Sequence, residues 1–101
     1  MLTLKTTAQF RRDYKLIKKR GYQMDFLEEI LEVLLQKKQL AEKHRDHALA
    51  EKHRDHTLVG NYIGFRECHI LPDWLLIYQI DSGMLLLVAT RTGTHSDLLK
   101  N

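Results

Sequence analysis

Four ionisable residues punctuate the C-terminal part of the chain: His69, Asp73, Arg91 and His95. They sit at the borders of three apolar runs, in YIGFRECHILPDWLLIYQID and, after a short turn, MLLLVATRTGTHS. Strands that bury their faces rarely carry such groups at their ends without a reason. Histidine, with an ordinary pKa of about 6.5, works as acid or base near neutral pH. An aspartate accepts a proton or orients an imidazole, and an arginine offers a planar fork for phosphate oxygens. With a histidine from upstream, the set reads as one phosphate-handling site on a small sheet. Cleaving RNA by its own 2′-hydroxyl needs a base for the 2′ proton, an acid for the 5′ leaving oxygen, and cations or donors for the charged phosphorane. These side chains supply all three, and no metal or cofactor is required.

Each residue also has a structural explanation. His69 would be a half-buried, hydrogen-bonded strand residue. Asp73, after Pro72, would fix a turn. Arg91 would pair with Glu67 across strands, and His95 would cap a last helical turn. Cys68 and His69 are strand neighbours and point to opposite faces, so they make no Cys-His nucleophile pair and Cys68 reads as core.

The elements that must position these groups follow from periodicity. Met1 to Lys5 alternates in part, as an edge strand does. Thr6 and Gln9 have the spacing of a capping box. Phe10, Tyr14 and Ile17 then recur at helical spacing among Arg11, Arg12, Lys15, Lys18, Lys19 and Arg20, and Gly21 suits a helix C-terminus. The basic residues read as a solvated face or as one turned to RNA or a partner. Asp25 and Glu28 open a second helix whose stripe is Phe26, Leu27, Ile30, Leu31, Val33 and Leu34. Together the two predict an αα-hairpin on the sheet. Val59 to Asn61 reads as a turn, Ile63 to Leu71 as a strand ended by Pro72, and Trp74 to Ile80 as a strand. Asp81-Ser82-Gly83 reads as a hairpin turn with glycine at positive φ, followed by a strand from Met84 to Thr90 and a helical turn from Thr94. The unbroken apolar runs predict a sheet covered on both faces, or on one face with a partner on the other.

Between the second helix and these strands lies a tandem repeat. LAEKHRDHA (Leu40 to Ala48) is followed at once by LAEKHRDHT (Leu49 to Thr57). Ala, Leu, Glu, Lys and Arg favour helix, so the second helix is expected to continue through one copy. Nine helical residues turn by roughly 180°, so two helical copies would face opposite ways and one alone would present its histidine to the sheet. His44 with His47, and His53 with His56, have i, i+3 spacing, but no carboxylate or cysteine set completes a tetrahedral metal site.

With 101 residues, 44% apolar and 29% charged, the chain suits one α+β domain with one modest core. No apolar run approaches the roughly 18 residues of a membrane span. The N-terminus has no h-region and Cys68 is the single cysteine, which together point to a reducing cytoplasm. A net charge of +3 suits an anionic partner.

RDHTL, FRECHILPDWLLIYQI and RTGTHSDL, in that order, resemble the YafQ branch of the RelE-type toxins of bacterial toxin–antitoxin systems. The resemblance covers essentially the whole chain, residues 1–101, as a single RelE-like domain in which residues 40–57 are duplicated. It implies an N-terminal strand and a two-helix hairpin packed on a small, largely antiparallel sheet. It also implies a ribosome-dependent endoribonuclease that cuts mRNA, a cognate antitoxin, and binding to operator DNA only as the toxin–antitoxin complex. By position, His56 matches the family's DH histidine, His69 its CH histidine, Asp73 its PD aspartate and His95 its GTH histidine, assigned as general acid. His69 and Asp73 are candidates for base or base support, assisted by His56; chain continuity favours His56 over His47. Arg91 is assigned to phosphate, and Trp74 to supporting the site or stacking on a base. Leu99 stands where the family has a phenylalanine, removing an aromatic platform from the mRNA site. Two rival readings are a non-catalytic ParE-like toxin, whose relatives lack this histidine set, and an oligomer formed by exchange of the duplicated segment.

Overall fold

The computed structural model describes residues 1–48 and 65–98. Strand β1 (Thr3–Thr6) pairs in parallel with β5 (Leu86–Gly93), from Thr3↔Leu86 to Thr6↔Ala89. It is an edge strand, as its partial alternation predicts. Helix α1 (Ala8–Lys19) is capped by Thr7, whose Oγ1 accepts the Phe10 N–H at 2.9 Å, and not by the expected Thr6–Gln9 box. Thr6 is tied into the sheet, and the Gln9 amide turns to Asp13. The same Thr7 hydroxyl donates to the Thr90 carbonyl at 2.7 Å, so one side chain starts the helix and pins it to β5. Gly21 (φ 89°) ends α1: the Gly21 and Tyr22 N–H groups return to the carbonyls of Lys18 and Ile17, satisfying the last turn.

Helix α2 (Met24–Leu35) buries Leu27, Ile30, Leu31 and Leu34, while Phe26 of the predicted stripe is partly exposed. The helix does not continue into the repeat. Lys37 (φ 61°) takes the left-handed position, and the Lys37 and Lys38 N–H groups close back on Leu34 and Val33. The first copy then forms a 3₁₀ turn (Glu42–His44), a left-handed Arg45 (φ 45°) and a short edge strand, β2 (His47–Ala48). Tertiary contacts override its helix propensity. Leu40 enters the core, and the Asp46 carboxylate takes the Tyr78 hydroxyl at 2.5 Å and the Arg66 Nη2 at 3.1 Å. The second copy, with the expected turn at Val59 to Asn61, lies outside the described residues.

Strands β3 (Arg66–Leu71) and β4 (Trp74–Asp81) are joined through Pro72-Asp73, with Leu71 opposite Trp74. β4 turns into β5 through residues 82–85. There Leu85 (φ 55°), not Gly83, takes the left-handed position, and Asp81 Oδ1 accepts the Met84 N–H. The strand therefore begins at Leu86, two residues later than its apolar run predicts. The sheet order is β1-β5-β4-β3-β2, antiparallel except for β1 with β5. The last helical turn, α3, covers His95–Leu98.

β4 is covered on both faces. Trp74, Leu76 and Tyr78 join Phe10, Ile17, Leu27 and Ile30 on the helix side, and Leu75 and Ile77 meet Leu98 and Phe65 on the other. Leu27→Ala should lower stability by about 3 kcal/mol, the scale of a buried leucine lost from a core, measured by urea unfolding. Gly21→Ala should cost about 1 kcal/mol from backbone conformation alone, because an added Cβ there meets nothing within 4 Å. Leu16→Ala, 46% exposed, should stay within about 0.5 kcal/mol of wild type.

Candidate active site

The ends of β2, β3 and β4 and the start of α3 bring three histidines and an aspartate together. Asp73 occupies the β3–β4 hairpin tip. Its Oδ1 accepts the His95 backbone N–H at 3.0 Å and lies 2.5 Å from His95 Nδ1. A carboxylate only accepts, so Nδ1 carries the proton and Nε2 is left to face outward. The backbone N–H first, then the imidazole, hold the Asp73 carboxyl below its usual range. The side chains of His95 and Asp73 are 43% and 67% exposed, so the pair is open to a large substrate.

His69 lies on the opposite strand face from Cys68, at 8% exposure. Its ring centroid is 5.7 Å from that of His95 and 6.5 Å from that of His47. Burial pulls its pKa below the ordinary histidine value, favouring the neutral ring. Its Nδ1 is buried and has no hydrogen-bond partner among the described residues. Its backbone carbonyl accepts from His44 Nδ1 at 2.7 Å, which joins the 3₁₀ turn to β3.

His47 is the third ring. Its Nδ1 lies 2.8 Å from the Arg45 carbonyl, an acceptor, so this nitrogen carries a proton. Its Nε2 is 3.5 Å from Glu67 Oε1, on the directly opposite residue of β3. A second proton there would place an imidazolium against that carboxylate. Asp46 faces the other way, to Arg66 and Tyr78, so strand alternation sends neighbouring residues of one motif to opposite faces.

Two roles of the predicted site are revised, those of Arg91 and Trp74. His69, Asp73 and His95 converge. His56 and Leu99 lie outside the described residues; among the described residues, the repeat histidine whose ring stands against that of His69 is His47, from the first copy. Arg91 is not an open phosphate fork, nor does it pair with Glu67. Its Nε and Nη2 donate to Asp13 at 3.0 and 3.1 Å, and its side chain is 14% exposed. Asp13 Oδ2 also accepts the Thr92 N–H, so α1 completes the β5 edge where β1 has ended. Trp74 is 1% exposed, donates Nε1–H to Thr92 Oγ1 and meets Tyr22 edge-on, so it has no free face for a base. Burial pushes the Cys68 thiol up, which leaves it inert as a nucleophile. Among the described residues, no three His, Cys, Asp or Glu side chains are arranged to hold a metal ion.

Asp13 escaped the sequence reading, and Glu67 entered it only as a partner for Arg91, not for His47. Asp13 had a legible signal: it sits on the same helical face as Phe10 and Ile17, where an acid must find a partner. Glu67 had none, because its meaning depends on which residue of the repeat lies across from it.

Two helices against one face of a mostly antiparallel five-stranded sheet, with histidines and an aspartate gathered at the strand ends, define a RelE-like α+β protein. The family described as "Bacterial toxin of type II toxin-antitoxin system, YafQ" matches residues 2–52 and again residues 48–100. The chain belongs to this YafQ family. It is 32% identical over 93 residues to the mRNA interferase toxin YafQ of Escherichia coli (strain K12), covering 91% of this chain and 89% of that one. A metal-bound toxin from Helicobacter pylori superposes with a TM-score of 0.82 at 36% identity, over 98% of this chain and 100% of that chain. The E. coli DinJ–YafQ complex gives 0.80 at 31% identity, over 99% and 100%. Each of the two matched spans contains one full copy of LAEKHRDH.

Asp13→Ala should lower stability by about 3 kcal/mol, because it takes the buried Asp13 carboxylate away from the part-buried Arg91 guanidinium and from the Thr92 N–H. Denaturant unfolding measures this, and Asp13→Asn should fall between the two.

Proposed function

We propose that this chain, as one toxin domain over residues 1–101, is a ribosome-dependent endoribonuclease that cleaves mRNA by general acid–base catalysis. The observation that carries this reading is the convergence of His47, His69 and the Asp73–His95 pair at one end of the sheet. Burial keeps the His69 ring neutral, so it takes the 2′-hydroxyl proton. The 2′ oxygen attacks phosphorus, the bond from phosphorus to the 5′ oxygen breaks, and His95, entering the step as an imidazolium with its Nδ1–H on Asp73, gives its Nε2 proton to that oxygen and is left neutral. Products are a 2′,3′-cyclic phosphate and a free 5′-hydroxyl. Asp73 holds the His95 proton on Nδ1 and so fixes which nitrogen faces the leaving group. His47, the third ring of the cluster, stands where it can contact the phosphate, the role first given to Arg91.

The partner is a cognate antitoxin, as DinJ is for the E. coli YafQ in the solved complex. Operator DNA is bound only by the joint complex, and the substrate is mRNA on the ribosome in the cytoplasm. Among the described residues no helix is long and apolar enough to cross a membrane. The histidine set speaks against a ParE-like mode that acts by binding alone.

Primer extension on translated mRNA tests the reading. Wild type should cut, and His95→Ala and His69→Ala should each lose at least about a hundredfold in rate. Intact transcripts with wild type would overturn it. His47→Ala should cost more activity than His56→Ala; the reverse result would assign the site to the second copy. Because the His69 pKa is lowered, the acidic limb of the rate profile should lie below pH about 6.5: the base stays unprotonated further into acid and the rate falls only beneath that value.

A further inference from the structure

We propose that Arg20 and Asp97 are positioning residues that set the orientation of His95. The proposal rests on the reading of His95 as part of the reacting centre. His95 is the first residue of α3, a helix of four residues that cannot hold its own direction by length. Its start is braced instead. The Asp97 N–H donates to Thr94 Oγ1 at 3.2 Å, and Asp97 Oδ2 accepts the Thr94 N–H at 2.9 Å, a reciprocal cap. Arg20, at the C-terminus of α1, grips the same carboxylate with Nη1 to Oδ2 at 2.7 Å and Nη2 to Oδ1 at 3.1 Å. The fork is bidentate, so it fixes the plane of the carboxylate as well as its distance.

The strand end is shaped to receive this brace. A Cβ on Gly93 would meet Asp97 Cβ at 3.0 Å and Oδ2 at 3.1 Å, so glycine lets the carboxylate lie against the end of β5. The brace acts on one side of Thr94-His95 and Asp73 acts on the other, through the His95 N–H and Nδ1. His95 is thus held from two sides, by the Asp73 carboxylate on its own N–H and ring and by the Asp97 carboxylate on the Thr94 that precedes it. The Arg20 fork and the Thr94 cap also hold the Asp97 carboxyl down at about 2. Its charge and its grip therefore persist at every pH where an imidazole works.

The pair is partly exposed, with side chains 38% and 24% accessible, so it adds little to global stability. What it determines is geometry, and displacement of a proton donor by about 1 Å is enough to slow a reaction tenfold or more. Arg20→Gln and Asp97→Ala should each lower kcat for cleavage about tenfold with KM little changed. Arg20→Lys should restore part of the loss. In ¹H–¹⁵N NMR of the full chain, the His95 Nδ1 proton held by Asp73 should broaden or vanish in both variants while other amide peaks persist. Wild-type kcat and an unchanged Nδ1 proton in both variants would overturn the proposal. So would a kcat loss that follows urea stability with the Nδ1 proton intact. If wild type cuts no RNA, the functional reading fails, and the NMR arm still decides whether the brace orients His95.

Discussion

Asp73 Oδ1 serves the His95 backbone and the His95 ring at once, and through that one atom the tip of the β3–β4 hairpin and the start of α3 become a single unit. The rest of the fold works to keep these two chain segments in reach. β4 is buried on both faces, which makes it a rigid rail from the core to the tip. Thr92 ties the far strand to that rail, accepting from Trp74 Nε1 and donating to the Leu75 carbonyl. Helix α1 then fastens β5 at two points, through Thr7 to Thr90 and through Asp13 to Arg91 and Thr92. A buried tryptophan and a part-buried arginine thus stand one step behind the chemistry, holding the strand that delivers His95.

Much of this was legible before any coordinates. The two helices, the places of β1, β3, β4 and β5 along the chain, the turn at Pro72 and the final helical turn follow from hydrophobic period and from proline and glycine positions. The convergence of His69, Asp73 and His95 was legible because all three lie where apolar runs stop. The remainder was hidden for physical reasons. Lys37 and Leu85 hold left-handed conformations usually marked by glycine, so the end of α2 and the start of β5 carry no local flag. The partner of Arg91 is an acid on the first helix, visible as an odd residue on an apolar face but assignable only once the helix is docked. The strand in the first repeat contradicts its own composition, since what makes it a strand is the reach of Asp46 to Arg66 and Tyr78 across the sheet.

That segment shows how function is seated in a short motif. Leu40 anchors it in the core, His44 binds the backbone of β3, Asp46 is gripped beneath the sheet and His47 stands above it. The strand is two residues long, and its ladder alone is slight support. Side chains carry the attachment, so the segment is recognised by its residue types more than by its backbone. Every one of those types recurs nine positions later.

Such an attachment makes the repeat forgiving at the level of the gene. Excising Leu40 to Ala48, or excising Leu49 to Thr57, yields two shorter polypeptides that are identical but for Thr or Ala after the histidine. Either contraction keeps a complete set of anchoring side chains and returns the span between α2 and β3 to a single motif. A copying slip in this stretch of coding sequence can therefore add or remove a unit without erasing the histidine that the sheet receives.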